Sequence, residues 1–236
     1  MRRGLAPSRE RAQSDIAAGR VTVGGAPVDK PARLVAPSEP IEIAGPPPRY
    51  VGRGGEKLEA ALRQFGIDAS GRRALDAGAS TGGFVDCLLQ HGAVEVVAVD
   101  VGYGQLHERL RSDRRVDVRE RTNVRDLTVA DVAEPVDLIT ADLSFISLRT
   151  VLTPLLGLAA PGADLVLLVK PQFEAGREEA AKGKGVIRDP EIHERVVQDV
   201  TAALEERGAA IMGRMVSPLR GADGNVEFLL HACAPR

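Results

Sequence analysis

The sequence predicts an α/β protein in which a mainly parallel, seven-stranded sheet follows a small α+β head. Three observations support this fold class. Apolar runs alternate with amphipathic helical segments after residue 55, as they do in sheets that helices cover on both faces. A glycine-rich turn, Gly78-Ala-Ser-Thr-Gly-Gly83, follows the first of these runs. Three prolines at 46–48 separate the head from the rest, because they can continue neither a helix nor a central strand.

The head combines one predicted helix with short strands. The predicted domain bounds are 1–44 for the head, 45–55 for the linker and 56–236 for the larger domain. Residues 8–19 predict a helix that Ser8 caps and Gly19 ends. Residues 20–25 predict a strand that leads into a turn, and 39–43 alternate apolar and polar side chains as a half-buried strand does.

The larger domain alternates strands and helices. The predicted strands are 73–78, 95–100, 136–141, 163–170, 209–216 and 226–232, and the predicted helices are 56–66, 82–91, 105–110, 148–158 and 190–208. Residues 174–188 predict a polar loop. Only 217–225 separate the last two strands, which is too short for a helical crossover, so we expect an antiparallel pair. A final hairpin on a parallel sheet favours a class I methyltransferase over an oxidoreductase.

Charge is distributed unevenly along the chain. The formal net charge is −2, but residues 1–57 carry ten Lys/Arg and six Asp/Glu. A basic head on an acidic body indicates a polyanionic partner for the head. A solvated charged surface would have the same composition, so charge alone leaves both interpretations open.

Cysteine usage and hydropathy restrict the class of protein. Cys87 and Cys233 lie far apart and outside any C-x-x-C pattern, so neither a disulfide framework nor a zinc site is expected. The four histidines have no metal-ligand spacing. No signal peptide and no apolar stretch near the roughly 20 residues of a membrane span occur. A reducing cytoplasm is the expected compartment.

The glycine turn and the following strand predict a nucleoside-bearing cofactor. The first strand ends in the turn at Gly78, and the next ends in Asp100, whose carboxylate can accept hydrogen bonds from ribose hydroxyls. The turn is not the G-x-G-x-x-G of dinucleotide enzymes. Its spacing suits S-adenosylmethionine better, although a glycine turn in an ordinary α/β protein remains an alternative.

Four charged residues predict the chemistry. Lys170 ends the apolar run 165–169, and Asp142 ends the adjacent strand, so we expect the two to pair in the cleft. A structural salt bridge is the alternative. Lys57 and Glu227 would singly be surface charges. Together the four suit removal of a proton from a ribose hydroxyl, because a lysine can be the base when burial and a second cation disfavour its charged form.

Six further segments carry a resemblance to a known family. They are Tyr50-Val-Gly-Arg-Gly-Gly-Glu-Lys57, Asp76-Ala-Gly-Ala-Ser-Thr-Gly-Gly-Phe84, Ala98-Val-Asp-Val-Gly-Tyr-Gly-Gln-Leu106, Asp142-Leu-Ser-Phe-Ile-Ser147, Val169-Lys-Pro-Gln-Phe-Glu174 and Gly185-Val-Ile-Arg-Asp189. In this order they resemble the TlyA family of rRNA (cytidine-2′-O)-methyltransferases, also labelled hemolysins and related to the FtsJ-type RNA methyltransferases. The head resembles the RNA-binding module of ribosomal small-subunit protein four.

The resemblance implies roles for particular residues. It implies S-adenosylmethionine as cofactor and a catalytic tetrad of Lys57, Asp142, Lys170 and Glu227. The cofactor-binding candidates are Asp76, Gly78, Ser80, Thr81, Gly82, Gly83, Phe84, Asp100, Val101, Asn123 and Val124. The RNA-binding candidates are Arg2, Arg3, Arg9, Arg11, Arg20, Lys30, Arg53, Phe145, Lys184 and Arg188.

The resemblance also implies a substrate, cytidine in small-subunit and large-subunit rRNA, with ribosomal subunits as partners. Phe145 could stack on a base drawn out of its helix or pack in the core, and both interpretations stand.

Family members carry a short helix before the Arg-Gly-Leu-Ala motif, in which this sequence begins, so we expect that first helix to be missing. The alternatives are a noncatalytic ribosome-assembly factor and, without an amphipathic basic helix to support it, a membrane-lytic protein.

Overall fold

The structure is a computed structural model that describes residues 3, 5–6, 9–45 and 48–236. The chain forms two compact units, Met1–Gly52 and Arg53–Arg236. The expected cap Ser8 lies outside the described residues. The linker was expected to extend to residue 55, but residues 54 and 55 already belong to the first helix of the second unit.

The first unit contains helix α1 (Arg9–Ala17) and a three-stranded antiparallel sheet. Its strands are β1 (Val21–Val23), β2 (Ala26–Pro27) and β3 (Ile41–Ile43), in the order β2-β1-β3. Val21 and Val23 are buried and Thr22 is less so, which is the alternation expected of a strand that packs one face against a helix.

The second unit alternates strands and helices, as predicted. Its strands are β4 (Arg73–Ala77), β5 (Glu95–Val99), β6 (Val116–Arg119), β7 (Val136–Ala141), β8 (Ala159–Val169), β9 (Ala210–Val216) and β10 (Phe228–Cys233). Its helices are α2 (Gly54–Phe65), α3 (Gly83–Gln90), α4 (Glu108–Arg111), α5 (Leu152–Leu158), α6 (Pro171–Glu174), α7 (Arg177–Lys182) and α8 (Pro190–Glu205). Short 3-10 turns occur at Val124–Asp126, Val129–Asp131 and Leu148–Thr150.

The seven strands form one sheet in the order β6-β5-β4-β7-β8-β10-β9. β4 to β8 pair in parallel, and β10 is antiparallel to both β8 and β9. The predicted seven-stranded sheet and final antiparallel hairpin are therefore confirmed. The chain reverses direction across the sheet between β4 and β7, and ligands of open α/β sheets bind outside the carboxyl ends of strands at such a point.

Several elements differ from the sequence prediction, and β6 lies outside the six predicted strand ranges. α4 is a single turn. The backbone N–H of Gln105 donates to Glu120 Oε1, and His107 caps the start of the helix by accepting from the backbone N–H of Arg109, so neither residue is helical. The predicted loop 174–188 contains α7, whose Arg-Glu-Glu-Ala-Ala-Lys sequence consists of strong helix formers. β8 begins at Ala159, where it pairs with Val136, several residues before the expected start.

The core lies on both faces of the sheet. Leu75, Ile139, Leu165 and Leu167 of the central strands are inaccessible to solvent. Leu155 of α5 and Leu204 of α8 are equally buried in the main apolar cluster. This burial holds the strand ends in fixed relation to one another. Within the described residues, no helix combines the length and the apolar character needed to cross a membrane.

Candidate active site

The glycine turn after β4 packs against the ends of two neighbouring strands. The backbone N–H groups of Gly78 and Ala79 both donate to the carbonyl oxygen of Val99, at 2.8 and 3.0 Å. Gly78 has a φ of +90°, and a Cβ at this position would lie 2.6 Å from the carbonyl oxygen of Asp142. Position 78 therefore requires glycine for its conformation and for its contact with the chain after β7.

Asp100 is held in place by the two turns around it. Its Oδ2 accepts from the backbone N–H of Ser80 at 2.7 Å, and its Oδ1 accepts from that of Gly102 at 2.6 Å. Each carboxylate oxygen can accept a second hydrogen bond. The fixed carboxylate at the end of β5 is thus suited to two neighbouring hydroxyl groups of a ribose.

A cavity of about 560 Å³ opens between the ends of β4, β5 and β7. This volume lies in the usual range for small-molecule sites. Among the predicted cofactor residues, its walls include Gly78, Ser80, Asp100, Val101, Asn123 and Val124. Gln105, Thr122 and Ser144 also line it, and sequence reasoning did not select them. Gln105 closely follows Asp100, and Ser144 closely follows Asp142, so proximity to these acids was the available signal.

Five predicted cofactor residues do not line this cavity: Asp76, Thr81, Gly82, Gly83 and Phe84. Gly82 faces the side chains of Leu106 and Leu110, and the Phe84 ring contacts Gly54. Phe84 and Gly83 are buried in the first turn of α3.

Asp76 lies fully buried in β4, below the glycine turn. Thr140 Oγ1 donates to its Oδ1 at 2.7 Å, whereas Oδ2 has no hydrogen-bond partner within the described part of the chain. Burial raises the pKa of Asp76 to about 8, and the charges of Asp142 and Asp100 act in the same direction. The carboxyl group is therefore protonated at neutral pH.

Lys170 and Asp142 form an ion pair at the edge of the cavity. Lys170 Nζ lies 2.6 Å from Asp142 Oδ1 and donates to Ser144 Oγ at 3.0 Å. Asp142 Oδ1 is buried and has no other donor among the described residues. Nζ also lies 5.9 Å from the centre of the Phe173 ring. The amine is thus held beside the cavity in a mixed ionic and aromatic environment.

Lys57 and Glu227 form a second, more deeply buried ion pair. Nζ of Lys57, in the first turn of α2, lies 2.5 Å from Oε2 of Glu227. Both side chains are more than nine-tenths buried. A Cβ at Gly221 would lie 2.6 Å from Oε1 of Glu227, so the backbone of the preceding loop closes over the carboxylate.

The two ion pairs lie at the same end of the sheet. Phe228 of β10 pairs with Val169 of β8, so Glu227 and Lys170 are the next residues beyond that pair. α2 connects the pairs from the other side, because a Cβ at Gly54 would lie 3.8 Å from Asp142 Oδ2. The structure thus places all four predicted catalytic side chains near one edge of the sheet. Their catalytic roles stay a prediction.

Phe145 is exposed rather than packed in the core. Its side chain is 92% exposed, its φ is +64°, and its ring centre lies 5.3 Å from that of Phe173. Core packing, one of the two interpretations of this residue, is therefore wrong. The ring separates the cofactor-sized cavity from an open groove that Phe173 and Lys184 also line.

Some of the predicted RNA-binding residues lie outside the described part of the chain, and others form contacts within the first unit. Arg2 and the side chains of Arg9 and Arg11 lie outside the described part of the chain. Arg3 donates to the carbonyl oxygens of Ala36, Pro37 and Glu39, and Arg20 pairs with Asp15.

Both Arg3 and Arg20 therefore also stabilise the first unit, and RNA contact would use their remaining N–H donors. The side chains of Lys30, Lys184 and Arg188 are exposed. Arg53, at the start of α2, is partly exposed. Exposure of the four leaves RNA binding as a prediction for each of them.

Family models match nearly the whole chain. Residues 50–233 match the FtsJ-like methyltransferase, and residues 2–41 match the S4 domain. The chain belongs to the FtsJ-like methyltransferase family. The glycine turn, Asp100 and the two ion pairs all lie inside the part that this family model covers.

Individual relatives agree with this assignment. The chain is 50% identical over 231 residues to the 16S/23S rRNA (cytidine-2′-O)-methyltransferase TlyA of Mycobacterium tuberculosis, covering 98% of this chain and 86% of the relative. It is 40% identical to Hemolysin A of Brachyspira hyodysenteriae, covering 97% and 95% of the two chains. A solved structure of a hemolysin-named protein of Streptococcus thermophilus superposes with a TM-score of 0.83 at 41% identity, covering 99% of this chain and 86% of that one.

Proposed function

We propose that this protein transfers a methyl group from S-adenosylmethionine to the 2′-hydroxyl of cytidine in ribosomal RNA of the small and large subunits, in the cytoplasm. The observation that carries the proposal is the Lys170–Asp142 ion pair at the edge of the cavity beside the glycine turn. The name of the Mycobacterium tuberculosis relative supports cytidine and both subunits as targets. The S4 match supports RNA binding by the head.

The cavity residues fit the cofactor. Asp100 would accept hydrogen bonds from the ribose hydroxyls, and Asn123 and Val124 would border the base. Gly78 borders the same cavity without a side chain. Bound there, S-adenosylmethionine supplies a methyl group on a positively charged sulfur, which is a good leaving group. The protein's contribution is then mainly to bring the acceptor oxygen into line with that methyl group.

Lys170 would act as the base. In its neutral form, Nζ accepts the proton of the 2′-hydroxyl while the oxygen forms its bond to the methyl carbon and the carbon–sulfur bond breaks. Asp142 orients Nζ before the reaction and stabilises the ammonium group after it. Lys57 and Glu227 would hold the other end of the site as a second, buried ion pair.

RNA would be bound through two surfaces. In the head, Arg20 and Lys30 would contact phosphates, which position the RNA without reading its sequence. In the larger domain, Phe145 would stack on the displaced base, and Lys184 and Arg188 would contact neighbouring phosphates. The exposed ring of Phe145 beside the cavity supports this placement.

The test is methylation of purified ribosomal subunits with labelled S-adenosylmethionine, followed by mapping of ribose methylation. Lys170→Ala should reduce incorporation about 100- to 10,000-fold, because it removes the base, while binding of cofactor and RNA persists. The control is Arg214→Ala, which breaks an exposed ion pair with Glu194 and should leave incorporation unchanged.

Other outcomes would contradict the proposal. Label on a base or on protein would exclude ribose methylation. Full incorporation by Lys170→Ala would remove Lys170 from the mechanism. No incorporation by the unaltered protein, together with a defect in subunit assembly when the protein is absent, would favour the noncatalytic assembly factor.

A further inference from the structure

Glu174 connects two segments that carry the proposed site. It ends α6, four residues after Lys170, and its carboxylate is buried. Its Oε2 accepts from Ser147 Oγ at 2.5 Å, and its Oε1 accepts from the backbone N–H of Leu148 at 2.7 Å. Nε of Arg149 lies 3.5 Å from Oε2 of Glu174, and Nη2 of Arg149 donates to the Glu174 carbonyl oxygen. The loop after β7 is therefore tied to the turn after β8.

The tied loop, Asp142–Ser147, contributes residues 142–146 to the lining of the cavity. At its start, the backbone N–H of Asp142 donates to Ala77 at 3.0 Å, and the Asp142 carboxylate pairs with Lys170. At its end, Glu174 holds Ser147. Phe145, between these two attachments, has a left-handed backbone conformation. A non-glycine residue keeps such a conformation only where its surroundings enforce it.

We propose that Glu174 is a positioning residue for methyl transfer, one that fixes the Asp142–Ser147 loop so that Phe145 and Lys170 meet the RNA nucleotide in a single arrangement. The inference rests on the proposed function. Glu174 does not line the cofactor-sized cavity, so it acts through Ser147 and Leu148 and not by contact with the cofactor. Its burial is otherwise unfavourable: desolvation raises the pKa of its carboxyl group.

Kinetics test the proposal with a pair of variants. Glu174→Ala removes both hydrogen bonds to the loop and should lower the single-turnover rate 10- to 100-fold, because small displacements of reacting groups have effects of this size. Glu174→Gln keeps an acceptor for Leu148 and an amide that can donate to Ser147, so its rate should stay within about 3-fold of the unaltered protein. Rates are expressed per site that binds S-adenosylmethionine by calorimetry, which removes unfolded protein from the comparison.

One control variant and one substitute variant distinguish positioning from general stability. Glu194→Ala removes a carboxylate that forms an exposed ion pair with Arg214, and its rate per site should not change. If Glu174→Ala does not fold, Ser147→Ala is tested in its place. This variant removes one of the same hydrogen bonds and should lower the rate several-fold. Unchanged rates per site in Glu174→Ala, or in Ser147→Ala if only that variant folds, would overturn the proposal.

A fluorescence measurement separates this inference from the proposed function. The chain contains no tryptophan, so Phe145→Trp introduces a single reporter on the loop. Adding Glu174→Ala should lower its anisotropy and increase its quenching by acrylamide, whether or not the protein methylates RNA. Identical anisotropy and quenching with and without Glu174 would overturn the positioning role, whereas absent methylation with a clear fluorescence change would contradict only the proposed function.

Discussion

The carbonyl oxygen of Asp142 lies too close to Gly78 for position 78 to carry the Cβ of any other residue. A Cβ there would lie 2.6 Å from that oxygen and 3.0 Å from the carbonyl carbon. This contact brings the cofactor turn after β4 against the residue that pairs with Lys170 after β7. One backbone contact therefore links the methyl-donor side and the proton-acceptor side of the proposed site.

Gly78→Ala should consequently disturb both sides at once. The backbone must move away from Asp142 and also leave its left-handed conformation, at a cost of about 2–4 kcal/mol in the free energy of unfolding. Binding of S-adenosylmethionine, measured by calorimetry, should weaken at least 10-fold. The matched control is Gly71→Ala, where φ is +72° but no atom lies within 4 Å, so only the conformational cost applies. Equal effects of the two substitutions would contradict the steric role of Asp142.

The Lys57–Glu227 pair allows stability and catalysis to be separated. Glu227→Ala leaves the buried ammonium group of Lys57 without its partner, and loss of about 3–5 kcal/mol in unfolding free energy is expected. Replacing both residues, as Lys57→Met with Glu227→Leu, should restore most of that stability, because no buried charge remains.

Methyl transfer by the double variant decides whether the pair does more than stabilise the fold. We expect the double variant to unfold near the temperature of the unaltered protein in a thermal scan and to methylate at least 100-fold more slowly. Recovery of both stability and methylation would reduce the pair to a structural role.

Part of the candidate site could be predicted from the sequence, because the order of the strands determines which strand ends are neighbours. Lys170 and Asp142 each end an apolar strand, and carboxyl ends of neighbouring parallel strands share one edge, so their proximity could be predicted. Lys57 and Glu227 were assigned to the site by the combined chemistry of the four residues and by the family resemblance, not by strand ends. Their pairing was not predicted, since 170 positions separate them in the chain.

Other features depend on contacts that no local pattern encodes. Phe145 has a left-handed conformation that its sequence does not signal. The proposed role of Glu174 depends on hydrogen bonds with Ser147 and Leu148, more than 25 positions earlier. Cys233, His231 and Asp164 also come together only through the pairing of β8 with β10. There, Asp164 already bonds to Arg72 and His231, which indicates a structural ionic network.

That network predicts how acid affects stability. The hydrogen bond from His231, followed by that from Arg72, lowers the pKa of Asp164 to about 2. A carboxyl group with a lowered folded-state pKa stabilises the protein above its unfolded value, near 4, and loses that contribution as pH falls toward 2. Partial exposure reduces the contribution to about 1–2 kcal/mol.

Acid unfolding followed by circular dichroism tests this prediction. Asp164→Asn should be less stable than the unaltered protein at pH 6, and the difference should shrink between pH 4 and pH 2. Asp113→Asn is the control: the pKa of Asp113 is also about 2, but its partner Arg115 is two residues away. The unfolded chain keeps much of that local contact, so this variant should change little. A difference for Asp164→Asn that does not vary with pH would contradict the assignment.

Asp76 predicts the opposite pH dependence. Burial raises its pKa to about 8, far above the unfolded value near 4, so between these values the unfolded chain releases a proton that the folded protein retains. Ionisation therefore favours the unfolded state, and stability is lost as pH rises toward 8, by about 1 kcal/mol per pH unit. Asp76→Asn cannot ionise, and its amide keeps a carbonyl acceptor for Thr140 Oγ1.

Urea unfolding at several pH values measures the free energy of unfolding of the unaltered protein and of Asp76→Asn. The difference between the two free energies should change with pH. Relative to Asp76→Asn, the unaltered protein should lose stability steadily from pH 5 to pH 7.5 and level off above pH 8.5. Parallel stability curves would mean that Asp76 is ionised in the folded protein throughout.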